Sequence, residues 1–160
     1  MSDSEILLGE FRRTIDDRYR LSIPPELADQ LHKEGSELVL AKERPGCLGL
    51  YNSTPWQGQL DKAVDWVADK VDAGKLGGQV DDLLTLGRLL STRHCEVQLA
   101  GRGRLVIPEG FRDFLGVAPG DPVFVVGAAI SVEIWNPPAW VSYLEDRMPE
   151  FRSLLTQLSE

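Results

Sequence analysis

The amino-acid sequence predicts an α+β fold in which one β-β-α-β-β unit is used twice in tandem, and three observations predict it. First, "DDRYRLSIPPELADQL" (16–31) lies over "AGRGRLVIPEGFRDFL" (100–115) at an offset of 84 residues, matching Arg18 with Arg102, Arg20 with Arg104, Leu21 with Leu105, Ile23 with Ile107, Pro24 with Pro108 and Leu31 with Leu115. Second, "YNSTPW" (51–56) lies over "WNPPAW" (135–140) at the same offset, matching Asn52 with Asn136 and Trp56 with Trp140. Between these blocks "ELVLAK" (37–42) lies over "PVFVVG" (122–127) after a small gap, and chance similarity of composition would not keep all three in order. Third, a unit of about 45 residues buries too little apolar surface to be stable alone. The two copies are therefore expected to share one core.

Each copy begins with a strand, "EFRRTI" or "HCEVQL", that runs into a tight polar turn, "DDRYR" or "AGRGR". A second strand, "RLSI" or "RLVI", stops at Pro24 or Pro108, because proline cannot donate to a ladder but suits the start of a helix. A short helix follows, "PELADQL" or "EGFRDFL", with Leu27 and Leu31, or Phe111 and Leu115, four apart on one face. Two β segments close the unit: "ELVLAK" then "CLGLY", and "PVFVVG" then "SVEIW". The organisation expected is a first unit over 9–56, a helical connector over 57–92, a second unit over 93–140 and a C-terminal helical extension over 141–160.

In the connector, Leu60, Val64, Val67 and Val71 recur at helical spacing opposite Asp61, Asp65 and Asp69. Trp66 falls off the apolar stripe, which marks it for contact with another subunit. A loop with Gly74, Gly77 and Gly78 leads to a second, leucine-rich helix carrying Arg88. The extension places Trp140, Leu144, Met148, Phe151, Leu155 and Leu158 on one side, with a bend or break near Met148 imposed by Pro149.

With 42% apolar and 26% charged residues, the 160-residue chain is neither disordered nor membrane-like in composition. No window approaches the roughly 18 continuous apolar residues of a membrane span, and "MSDSEILLGE" lacks the basic start of a signal peptide. A cytoplasmic protein with no membrane partner is expected. Cys47 and Cys95 are isolated in sequence, so buried free thiols are expected rather than a disulfide framework or a metal pair. His32 and His94 occupy non-equivalent places in the repeat with no ligand cluster beside them, and "DAGKLGGQ" (72–79) lacks the spacing of a phosphate-binding loop. The reading therefore has no catalytic residue, no metal, no cofactor and no small-molecule ligand.

The net charge of −8 argues against nucleic acid, but the charge is unevenly spread. Residues 61–82 carry six aspartates against three lysines, whereas residues 88–112 carry five arginines against two glutamates. Arginine presents a planar fork that binds phosphate oxygens and pairs bidentately with guanine. If both turns face one way, Arg12, Arg13, Arg18 and Arg20 from one copy and Arg102 and Arg104 from the other form a cationic patch. Asp16 is expected to fix the Arg20 guanidinium by a paired hydrogen bond, leaving Arg12, Arg13 and Arg18 to meet DNA. Taken alone, such an Asp-to-Arg turn reads as an ordinary salt-bridged loop; its repetition in an ordered duplication points to a binding surface.

In sequence, "GEFRRTIDDRYRLSIPPEL", "GRGRLVIPEGFRDFLGV" and "VEIWNPPAW" resemble the MraZ family, bacterial transcription factors that carry two SpoVT/AbrB-like units in one chain. The resemblance runs from Gly9 through Trp140 and includes the helical segment with Arg88. It implies a tandem SpoVT/AbrB-like swapped-hairpin β-barrel, a pseudo-twofold duplication whose additional helices build a ring homo-oligomer. It also implies a DNA-binding transcriptional regulator, expected to repress its own division and cell-wall operon by binding tandem direct repeats of promoter double-stranded DNA through its arginine-rich turns. The implied location is cytoplasmic and nucleoid-associated. The family's hallmark is a DxxxR turn, here Asp16 to Arg20. Two positions depart from it: Tyr19 stands where glycine is usual, and Ala100 where the second aspartate is expected, which leaves Arg104 without its carboxylate. Those departures, with the acidic helices and Trp66, also fit a second reading, an oligomeric protein-interaction scaffold without specific DNA binding.

Overall fold

A computed structural model describes residues 6–75 and 77–160. The first copy supplies β1 (Leu7–Thr14), β2 (Arg20–Ser22), α1 (Pro25–Leu31), β3 (Leu38–Arg44), β4 (Cys47–Asn52) and α2 (Ser53–Asp72). After α3 (Val80–Thr92), the second copy supplies β5 (His94–Val97), β6 (Arg104–Val106), α4 (Glu109–Leu115), β7 (Pro122–Ala129), β8 (Val132–Trp135) and α5 (Pro137–Arg147), and α6 (Phe151–Leu158) follows. Pro24 and Pro108 are the N-caps of α1 and α4, and the two helices cover the segments "PELADQL" and "EGFRDFL" expected of them. The strand expected over "HCEVQL" ends at Val97, and its last residues run irregularly into the second turn. Near Met148 a 3₁₀ turn over Met148–Glu150 separates α5 from α6, because the Pro149 ring cannot continue an α-helix.

Six strands form one antiparallel sheet in the order β1-β7-β8-β4-β3-β5, and β2 pairs with β6 in a separate ribbon. Exchanging each strand for its counterpart in the other copy reverses the sheet order and leaves it unchanged. Residues equivalent in the repeat pair with each other: Leu21 lies opposite Leu105 in the ribbon, and Gly49 opposite Glu133 at the centre of the sheet. The first strand of each copy lies against the other copy, β1 on β7 and β5 on β3. A unit too small to bury its own core thus completes it with its repeat.

The core lies between the sheet and the ribbon. Leu38, Leu40, Leu48, Leu50, Val123, Val125, Val132 and Ile134 face inward from the sheet; Leu21, Ile23, Leu105 and Ile107 come from the ribbon and its flanks; Leu27, Leu31, Phe111 and Leu115 come from α1 and α4. Strand alternation explains the inward set. On the other face α5 covers Cys47, Val126 and Trp135 with Trp140. Cys47 is buried as expected, whereas Cys95, on the edge strand, is half-buried.

Equivalent polar residues close the two halves in the same way. Asn52 Oδ1 accepts from Thr54 N at the start of α2, while its Nδ2 donates to Leu31 O and Gly35 O at 2.8 and 3.1 Å. Asn136 Oδ1 accepts from Ala139 N at the start of α5, and its Nδ2 donates to Leu115 O and Gly116 O at 3.2 and 3.1 Å. Each asparagine therefore ties the end of a short helix to the beginning of a long one. The aromatic residues cross between copies: Trp140 Nε1 donates to Glu10 at 2.6 Å, and at the equivalent positions Trp56 packs on His94 with ring centroids 4.5 Å apart.

Opposite Glu133, Gly49 has no space for a side chain, since an added Cβ would lie 2.5 Å from Glu43 Oε1. Glu133 sits there with Trp135 Nε1 donating to it at 2.9 Å. Burial raises the Glu133 carboxyl above its ordinary range, and the nearby Glu43 charge adds to the rise. A carboxyl raised in the fold stabilises the folded state below its unfolded pKa, and that contribution is lost as pH rises through the folded value. Glu133→Gln, which keeps an acceptor for Trp135, is expected to flatten the fall in urea midpoint between about pH 4 and neutrality. An unchanged pH profile would show that the charge is fully compensated.

Candidate nucleic-acid interface

The ribbon builds the site. In the first turn, Asp16 Oδ1 accepts from the backbone N–H groups of Arg18 and Arg20 at 2.9 and 2.8 Å, and Oδ2 accepts from Arg20 Nε at 2.7 Å. An aspartate that opens a turn in this way replaces backbone partners with its own carboxylate. The donors, the Arg20 amide foremost, hold the Asp16 carboxyl below the usual carboxylate range. Its hold on the turn is complete above that range and is lost as pH falls through the lowered value.

Tyr19 adopts the left-handed conformation that glycine would take, with φ of 58°. Such a backbone costs a tyrosine about 1–3 kcal/mol. The Arg112 guanidinium lies 4.1 Å from the Tyr19 ring centroid and offsets part of that cost. The tyrosine thus holds the left-handed conformation that Gly103 takes at the equivalent place in the second turn.

The second turn is built without a carboxylate. Ala100 N donates to Arg104 O at 2.8 Å, and Arg104 N donates back to Ala100 O at 3.2 Å. Arg102 and Gly103 both take positive φ, 65° and 71°. Among the described residues no acid pairs with Arg104, whose Nε donates instead to Gly101 O at 3.3 Å.

Between the turns β2 pairs with β6, placing Arg20 opposite Val106 and Ser22 opposite Arg104. Leu21 and Leu105 point into the core, so Arg20 and Arg104 share the outward face on a diagonal. Ile107 N donates to Tyr19 O and Ile23 N to Gly103 O, which puts the two turns at opposite ends of the ribbon. Tyr19 and Ile23 are four strand steps apart, so the ends lie about 13 Å apart. Arg18 and Arg102 are exposed at the turns, and neither forms an ion pair among the described residues.

The other two candidate arginines do not join each other. Arg12 and Arg13 are neighbours on β1, and adjacent strand residues face opposite sides of a sheet. Arg13 shares the ribbon's side of the sheet, where its guanidinium lies 5.6 Å from the Phe11 ring centroid. Arg12 faces the α5 side, next to Phe124 across the ladder. The ribbon and its turns carry four of the six candidate arginines, and strand alternation sets Arg12 on the opposite face of the sheet from Arg13. Sequence reasoning passed over Arg112. Its signal was present, because at the repeat offset Arg112 matches Ala28 just as Tyr19 matches Gly103, and a bulky pair replaces a small one.

No group of three or more His, Cys, Asp or Glu side chains that could hold a metal ion occurs among the described residues. The palindromic sheet and the outward arginines of the ribbon define an internally duplicated α+β protein with a basic surface on its two-stranded ribbon. The family model described as "MraZ protein, putative antitoxin-like" matches residues 92–156. A Roseiflexus protein called transcriptional regulator MraZ is 30% identical over 87% of both chains. Proteins of that name from Clostridium beijerinckii and Moorella thermoacetica are 26% and 27% identical, the first over 97% of this chain and 98% of its own, the second over 96% of both. The chain belongs to the MraZ family.

Proposed function

We propose that this protein is a DNA-binding transcriptional regulator with no catalytic activity, which docks its β2–β6 ribbon against promoter DNA. The observation that carries the reading is the ribbon itself: Arg20 and Arg104 on one outward face, with Arg18 and Arg102 at its two ends. The end-to-end span of about 13 Å is close to the roughly 12 Å width of a major groove. Most of these contacts go to phosphates and set register. Arg13, on the same side of the sheet, is a flanking contact, and Arg12 is the least favourably placed.

The strand exchange between copies supports a swapped-hairpin duplication of the SpoVT/AbrB type. Assembly offsets the acidic bulk. α2, α3 and α6 bury no residue, and Trp66 and Leu158 are 68% and 85% exposed. Apolar helical faces of that extent fit a ring homo-oligomer, in which several weak basic edges engage tandem direct repeats with high avidity. The relatives' names support a regulatory role, and the reading extends to a cytoplasmic, nucleoid-associated protein that represses its own division and cell-wall operon. Among the described residues no helix is long and apolar enough to cross a membrane.

The exposed Trp66, beside the acidic stripe of α2, favours one other reading, an oligomeric scaffold for protein partners. Competition separates the two. A duplex copied from the region upstream of the gene should bind in preference to unrelated DNA, with log affinity falling linearly in log salt. Equal competition by unrelated DNA, or no binding at low salt, removes the regulator reading.

A further inference from the structure

The two turns are equivalent by sequence position but differently built. In the first, the Asp16 carboxylate receives three hydrogen bonds and fixes the Arg18 amide together with the Arg20 amide and guanidinium. Only Nε of Arg20 is taken, and among the described residues no hydrogen bond engages its two Nη groups. A second brace comes from the other repeat. Arg112 Nε donates to Ile107 O at 2.9 Å, Ile107 N donates to Tyr19 O at 2.9 Å, and the Tyr19 ring lies under the Arg112 guanidinium. These three contacts close a circuit that clamps the turn at its strained residue.

The second turn keeps one part of that circuit, Ile23 N donating to Gly103 O at 2.8 Å, and lacks the others. Ala100 replaces the aspartate, and Ala28 stands at the position equivalent to Arg112. Gly103 replaces the tyrosine, and an added Cβ there would meet Ile23 O at 2.8 Å. Gly101 and Gly103 flank Arg102, and the Arg104 side chain has one long hydrogen bond to a backbone carbonyl. Bidentate pairing with a base edge needs a guanidinium held in one orientation, whereas a phosphate accepts a mobile cation from many directions.

We infer that the turns divide the work on DNA: the first is a preorganised reader of base sequence with Arg112 of the opposite repeat as its positioning residue, and the second is an adaptable phosphate contact. The inference rests on the DNA-binding reading above. It assigns a role to a residue outside the arginine motif.

The test compares dissociation constants for two duplexes, one copied from the region upstream of the gene and one with the same bases shuffled. For R112Q the ratio between them should shrink roughly tenfold, the effect of one weakened base contact, while the salt slope on the shuffled duplex stays as in wild type. For R102A/R104A both constants should weaken alike, the ratio should hold, and the salt slope should drop by about 0.9 for each phosphate no longer neutralised. In a Y19G background there is no ring to clamp, so adding R112Q should leave the ratio where Y19G set it. A further fall there would mean that Arg112 acts through general packing, and the inference fails.

It fails equally if R112Q preserves the ratio, or if the second-turn double variant collapses it. Should R112Q melt below the assay temperature, Y19G alone carries the test, since removing the ring should shrink the ratio as removing the guanidinium does. Wild type that binds both duplexes equally overturns the division of work but leaves non-specific binding intact. Wild type that binds neither overturns the DNA reading itself.

Discussion

Replacing Arg18, Arg20, Arg102 and Arg104 together by alanine is expected to abolish binding to the upstream duplex without unfolding the protein. Each guanidinium held against DNA is worth on the order of 1 kcal/mol or more, so removing four per subunit weakens binding at least about a thousandfold. The fold is expected to survive because none of the four is buried, and only Arg20 is ion-paired among the described residues. Leu21, Ile23, Leu105 and Ile107, which anchor the ribbon, are untouched. Gel shift at several salt concentrations measures the loss, and circular dichroism checks the fold. An R12A variant is the control, since Arg12 faces the α5 side of the sheet; it should bind nearly as wild type. If the quadruple variant still shifts the duplex with wild-type salt dependence, the ribbon is not the docking edge.

Asn52→Ala is expected to destabilise the fold markedly although it removes no large apolar side chain. Asn52 is 9% exposed and makes three hydrogen bonds at once, two from its amide to carbonyls and one to its oxygen at the start of α2. Alanine removes the helix cap, which costs about 1 kcal/mol, and strands the buried Leu31 carbonyl, which costs about 1–3 kcal/mol more. The expected total is about 3 kcal/mol, or a fall in Tm of roughly 6–12 °C for a chain of this size. Asn136→Ala should cost clearly less, because its bonds are longer, at 3.1–3.4 Å, and its site is more open. Thermal melts of the two variants decide the matter. Equal losses, or an Asn52 loss within the range of a surface substitution, would show that the tie is incidental.

The duplication and its element order were legible because they rest on local signals: the constant offset, the prolines that end β2 and β6, and the four-residue spacing in α1 and α4. The asparagines were visible as a matched pair, yet their role was not. What they hold together, the end of one helix and the start of another, is a tertiary fact that no periodicity records. Strand pairing between copies was likewise out of reach, because β1 reads the same whether it lies on its own unit or on the other. In the candidate site, the Asp16 to Arg20 turn was readable from residue types alone. The separation of Arg12 from Arg13 follows from strand alternation and was available once β1 was assigned. Arg112 was not singled out because its partner Tyr19 belongs to the opposite repeat, and only the register of β2 against β6 brings the two together.

The exchange of first strands also governs when the protein becomes a protein. Among the described residues, β1 has its ladder partner in β7, with Leu7 opposite Ala129 and Thr14 opposite Pro122. On the ribosome, β1 must wait as a loose thread until β7, more than a hundred residues later, has emerged. Such distant pairing makes for slow acquisition of structure and a long interval in which chaperones have something to hold. Translation arrested between the repeats would leave a fragment with no surface on which to finish folding.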